Sequence, residues 1–281
     1  LDDLVKNLTL GLFALASAHV GIEERLRHDA ARQVREMFHN TGLVRVTAEP
    51  RGAFGLIASD AWSVDIYGEH LKTERMPFVV YPKSGWKGSI RHLRLHLDDF
   101  TLAGLPIAHL DADVPFVKFD IGEVTWKDRI VLRGAGSGPA AVQVNAAGLR
   151  HFVIQRYTQT LSDVELWFQN RKLYLSGKYA LFGVSMPFIA SGHLSPRAGR
   201  YVDVTDAILL LNHRPVSPQV AETILRQINP VLDIERDLGL GNTVTMTDVE
   251  IGDSEVTIHG QATIPPASAS PPAPLLKERG G

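Results

Sequence analysis

His92-Leu93-Arg94-Leu95-His96-Leu97-Asp98 decides the fold class, because three leucines alternate strictly with four polar residues. Successive side chains of a strand point to opposite faces, so Leu93, Leu95 and Leu97 share one side while His92, Arg94, His96 and Asp98 share the other. The run is a half-buried strand. Working outward, the period of two begins after Gly42 and holds for about a hundred residues. Val124 and Trp126 alternate with Thr125 and Lys127, the run Ile130–Leu132 follows, and Pro50, Gly52, Gly68, Pro82, Gly85, Gly88, Gly104 and Pro106 punctuate the series. The connections look too short for helical crossovers, so antiparallel hairpins are expected.

The same alternation returns later in the chain. Val164, Leu166 and Phe168 alternate with Glu165, Trp167 and Gln169; the polar turn Asn170-Arg171 follows, and Leu173 and Leu175 come back as a partner strand. Extended segments run through Phe182–Ser195 and Tyr201–Leu211, and a last hairpin joins Thr243–Ile251 to Glu255–Ile264 around Gly252-Asp253-Ser254. Three amphipathic helices interrupt the strands. Ile22, Leu26, Ala30, Val34 and Phe38 form a stripe before Gly42. Ala146–Thr158 carries Leu149, Phe152, Val153 and Tyr157 behind a capping Asn145. Ser217-Pro218 opens a third helix with Val220, Ala221, Ile224, Leu225 and Ile228, which Asn229-Pro230 stops. The expected fold is α+β, with long antiparallel, curved sheets packed against these helices. Residues 21–264 form one large domain, and the order of elements suggests related halves, 21–145 and 146–264.

The ends read differently. Lys6, the apolar run Leu8–Leu15 and Ala16-Ser17-Ala18 resemble a secretory signal, whereas Asp2 and Asp3 favour a retained apolar helix over residues 1–20. No stretch reaches the roughly 18 to 20 apolar residues that span a bilayer. Beyond Ile264, the Pro- and Ala-rich segment to residue 281 has too little to bury and should be disordered.

Composition narrows the chemistry. With 29 Lys and Arg against 31 Asp and Glu, the 281-residue chain has no overall basic field, which argues against nucleic acid as a partner. The absence of cysteine removes thiol catalysis, disulfides and Cys-ligated metals. Gly134-Ala135-Gly136-Ser137-Gly138 has Pro139 where a dinucleotide loop needs glycine, so a flexible hairpin connection is the reading. His92 and His96 share a strand face with Arg94, a cation that opposes a metal, so a solvated polar face is expected. Ser84-Gly85-Trp86-Lys87 matches Ser-x-x-Lys but sits among turn residues. Asp98 and Asp99 would project to opposite faces of a strand, unless they occupy a bulge or turn. No catalytic residue, metal or cofactor is expected.

The hairpin Val164–Gly177, the continuation Gly183-Val184-Ser185-Met186-Pro187-Phe188, the helix Val216–Ile228 with Asn229-Pro230-Val231-Leu232-Asp233, and the closing Val244–Gly260 resemble the LmeA-like family of bacterial phospholipid-binding proteins. The resemblance is clearer over 140–264 and fainter over 45–120. It implies a tubular lipid-binding-like fold and an envelope protein that binds phospholipid or a membrane surface, periplasmic or peripheral to the bacterial membrane, with the cytoplasmic membrane-facing side left open. Candidate walls of an acyl groove are Leu93, Leu95, Leu97, Val164, Leu166, Phe168, Phe182, Met186, Phe188, Ile224 and Ile228; ordinary core packing is the competing role for each. An accessory subunit of a membrane protein complex and an undetected hydrolase using Ser84 or Ser137 are the alternative functions.

Overall fold

The computed structural model describes residues 28–50, 60–81, 87–120, 131–157, 161–181, 184–240 and 243–265, apart from isolated positions 29, 37, 75, 77 and 79. The fold is α+β. A first sheet is built on the order β1 (Leu43–Pro50), β2 (Asp60–Glu69), β4 (Lys87–Leu102), β5 (Leu105–Asp120), β7 (Ser137–Asn145), β15 (Glu255–Thr263) and β14 (Val244–Ile251). Short β3 (Lys72–Thr73) pairs with β4, and β6 (Leu132–Gly134) pairs with β5. The second sheet runs β12 (Arg214–Pro215), β11 (Tyr201–Leu211), β10 (Val184–Arg197), β9 (Lys172–Leu181) and β8 (Leu161–Gln169), with β13 (Leu232–Asp233) on β11. Three helical segments accompany them: α1 (residues 30–36), α2 (Ala146–Tyr157) and α3 (Pro218–Ile228).

The helix boundaries follow from capping chemistry. Asn145 Oδ1 accepts the Gly148 amide at 2.7 Å, satisfying a free N–H of the first turn of α2. Ser217 caps α3 with proline behind it, and Asn229 closes its far end. Asn170 and Arg171, both with positive φ, form the two-residue turn between β8 and β9, matching the right-handed twist of the strands. Residues 1–27, the Pro-rich tail beyond Pro265 and the strand expected at Val124–Lys127 lie outside the described residues, as does the first part of the helix expected from Ile22.

Three expectations from the sequence need correction. β2 and β4 pair in parallel, not as a hairpin, with Val64 opposite Leu93 and Ile66 opposite Leu95. Residues 70–86 supply the dozen or more residues that such a return requires. The glycine-rich run is no hairpin loop either: β6 and β7 both lie along β5, and the run joins them in one direction. Its glycines permit close backbone approach, since a Cβ on Gly138 would stand 1.9 Å from the Asp113 carbonyl oxygen. Finally, strict alternation breaks at residues in the left-handed region. Leu93, Leu95 and Leu97 are buried, then Asp99 (φ 46) resets the phase and Phe100 and Leu102 are buried. Asp98 and Asp99 are consequently both exposed.

Asp163 (φ 52) interrupts β8 beside a register shift, and Asp206 (φ 49) does the same in β11. Aspartate tolerates this conformation better than most residues, and each such irregularity bends its strand. The long sheets are therefore curved. Their inner faces share one buried cluster, which includes Leu93, Leu97 and Phe100 from the first sheet and Leu166, Phe168 and Val202 from the second. The first sheet also receives β15 and β14 from beyond residue 146, β15 bonding to β7 and β14 to β15.

Candidate functional site

Between the second sheet and α2 and α3 lies a cavity of about 710 Å³, within the range of small-molecule sites. Its floor is the inner face of the sheet, where the period-two pattern delivers Leu161 and Leu166 from β8, Leu173 and Leu175 from β9, and Met186, Phe188, Ala190 and Leu194 from β10. β11 contributes Val202 and Val204 before the bend at Asp206, then Ala207, Leu209 and Leu211 after it. Leu149, Phe152 and Val153 of α2 and Val220, Ala221 and Leu225 of α3 form the roof, and Val144, Val249, Val256 and Ile258 of the first sheet close one end. From Val202 to Leu211 the strand covers about 30 Å at about 3.3 Å per residue. The lining therefore follows β11 as an elongated slot.

Among the described residues the lining contains no charged side chain, and Tyr179 and Ser191 supply its two hydroxyl groups. Such a surface suits a flexible hydrocarbon better than a charged ligand. α3 is fixed over the slot by polar contacts at its end. Asn229 accepts the Val204 amide and donates to the Val204 carbonyl, both at 2.9 Å, tying the helix terminus to β11. Four residues on, buried Asp233 accepts Arg200 Nε at 2.8 Å and Nη2 at 3.0 Å, and also the amides of Glu235 and Arg236. The Arg200 bonds, reinforced by those amides and opposed by burial, pull the Asp233 carboxyl down to about 2.

Of the eleven groove candidates, Leu166, Met186 and Phe188 meet on the cavity wall. Val164 and Phe168, on the same face of β8, are buried without lining it. Leu93, Leu95 and Leu97 pack in the first sheet's core, Leu95 bordering a smaller apolar void of about 100 Å³ against residues 231–240. Phe182 lies outside the described residues, as do the side chains of Ile224 and Ile228. The lining residues of β11 and α2 were not singled out by sequence reasoning, although the stripe Leu149, Phe152 and Val153 and the run Tyr201–Leu211 carried the signal.

The other chemical candidates fall elsewhere. His92 and His96 sit on the outer face of the first sheet, where His92 Nδ1 donates to Asp113 at 3.1 Å and His96 Nδ1 to Asp111 at 2.6 Å. His109 bridges Asp98 and Asp111 with its two ring nitrogens. Burial alone would lower the pKa of His109, but the two carboxylates outweigh it and the net shift is upward. Burial would raise Asp111, and its bonds to His96 and His109 bring it below the ordinary value. Each imidazole is thus engaged by carboxylate, and no group of three or more metal-ligating side chains forms among the described residues. Ser137 starts β7 on the surface, while Ser84 lies outside the described residues.

A long apolar slot without charge is a lipid's environment, and residues 86–261 match the family model described as LmeA-like phospholipid-binding. The chain belongs to that family. The match spans the β4–β5 hairpin, both long helices and the entire cavity floor. No curated protein and no solved structure matches the LmeA-like chain. No helix among the described residues is long and apolar enough to cross a membrane.

Proposed function

We propose that this LmeA-like protein carries or senses phospholipid at the bacterial envelope, periplasmic or peripheral to the membrane, with acyl chain held in the slot along β11. The observation that carries this reading is the lining, which is apolar among the described residues apart from the Tyr179 and Ser191 hydroxyls. Each buried methylene contributes about 0.8 kcal/mol, so ten would supply roughly 8 kcal/mol. Association costs about 4–15 kcal/mol in lost freedom, so a short chain would bind weakly and most of a long one must enter. The length of the slot meets that requirement. Ligand exchange needs no bond making or breaking, which accords with a wall whose described residues include no charged side chain.

Native mass spectrometry of gently purified protein tests the reading directly. The expected spectrum contains adducts with phospholipid masses, which increase after incubation with phosphatidylglycerol vesicles. Protein that carries no adduct and acquires none would refute it.

A further inference from the structure

The slot has a closed end and an open one. Val202 is 3% exposed where β11 meets the first sheet, whereas Val220, also on the wall, is 46% exposed at the start of α3. At the open end, the lining residue Leu211 pairs in register with Arg214 of β12. Antiparallel partners project from the same face, and Asn212-His213, both with positive φ, close the tight turn that sets this register. Arg214 therefore stands on the slot's side of the edge strand, exposed and without an ion pair among the described residues. Lys178, at the corresponding end of β9, is instead held by Asp163 at 2.7 Å. Tyr179 occupies the opposite lip, paired with Met186, and its hydroxyl has no hydrogen-bond partner among the described residues.

We infer that Arg214 recognises the phosphate of a phospholipid whose acyl chain lies in the slot, and that the Tyr179 hydroxyl donates to an ester or glycerol oxygen on the other lip. A phosphodiester cannot follow the chain into an uncharged wall without losing its hydration, so it stays at the open end. There the planar guanidinium offers two parallel N–H donors to two phosphate oxygens, a match that an ammonium group reproduces only as a point charge. The closed end, lined by buried Leu105, Val144 and Val256, offers the headgroup no charged or polar side chain among the described residues. The lipid's direction is thereby fixed, with the chain terminus toward the first sheet. The ligand class becomes anionic phosphodiester lipid in preference to neutral diacylglycerol.

This assignment rests on the phospholipid reading, and the test separates the two. Binding of detergent-dispersed phosphatidylglycerol and of dioleoylglycerol is measured by displacement of a fluorescent fatty acid from the full chain, for wild type, Arg214→Gln, Arg214→Lys and Tyr179→Phe. Arg214→Gln should weaken phosphatidylglycerol binding roughly tenfold and leave dioleoylglycerol unchanged, with Arg214→Lys intermediate. Tyr179→Phe should weaken both lipids by a smaller factor, since both present ester oxygens. Wild-type binding of both lipids, with Arg214→Gln altering neither or altering them equally, would overturn the headgroup assignment alone. Failure of wild type to bind either lipid would overturn the phospholipid reading, and this assignment with it.

Discussion

Ala190→Phe should close the slot without unfolding the protein. Ala190 lies on the cavity floor, between Leu175 of β9 and Leu209 of β11 in register, and its methyl points into open space that the cavity provides. A phenyl ring there would occupy volume otherwise available to about four to six methylenes, so roughly 3–5 kcal/mol of lipid burial is lost. That corresponds to a dissociation constant raised by at least about a hundredfold. Because the ring enters existing space, stability should hold or rise, unlike overpacking of a filled core, which costs about 1–3 kcal/mol. The assay pairs lipid displacement with thermal unfolding on the same sample. An Ala190→Phe protein that melts at or above the wild-type temperature yet binds phosphatidylglycerol with unchanged affinity would refute the slot as the acyl site. A large drop in melting temperature would show that the space is not available as described.

Three further outcomes follow from the geometry. Leu97→Ala, in the first sheet's core and 0% exposed, should cost about 2–5 kcal/mol of stability while the folded fraction retains lipid affinity, as paired unfolding and displacement titrations would reveal. Asp233→Asn should cost about 2 kcal/mol at neutral pH by weakening the Arg200 contacts. Since the Asp233 carboxyl is depressed from the ordinary 3.8 to about 2, its contribution is present above pH 3.8 and lost as pH falls through 2, so the variant's acid unfolding curve should lack that component. His109 titrates in the opposite sense: its pKa is raised, so its contribution is complete below the ordinary 6.5 and fades as pH rises through the folded value. His109→Gln should remove that fading in a melting-temperature profile, with an amplitude of only about 0.2–1 kcal/mol because the pairs are solvent-exposed.

Residue order alone conveyed most of the described strands, the turns of the β8–β9 and β14–β15 hairpins and two of the helices nearly to their ends, because alternation, capping and turn chemistry are local. Asn145, Asn170-Arg171 and Ser217-Pro218 each act within four residues of themselves. Sheet assignment is not local. Leu93 and Leu166 carry identical patterns, and only the pairing of β4 with β2 and β5, and of β8 with β9, sends one into the core and the other to the cavity. The parallel return through residues 70–86 was illegible for the same reason. The phase resets had a readable cue, aspartates at positions 99, 163 and 206 inside otherwise apolar alternation, but an isolated aspartate in a strand equally suits a solvent-facing site.

The apolar residues that line the slot and the polar residues that hold its roof obey different physics. A hydrocarbon wall is satisfied by many combinations of leucine, valine and phenylalanine of similar total volume, so its lining carries little that is distinctive. The elements that place the wall have no such latitude. Asn229 must present both an acceptor and a donor to Val204 to hold α3 against β11, and Asp233 must accept a guanidinium and two amides at once. Exchanging Asn229 for Asp keeps the acceptor but replaces the donor with a second oxygen facing the Val204 carbonyl. The roof would then lose one attachment while every lining side chain stayed the same. A loss of lipid retention in that variant, with the cavity walls intact, would follow from position alone, and the slot's affinity is to that extent a property of the polar anchors that hold its roof.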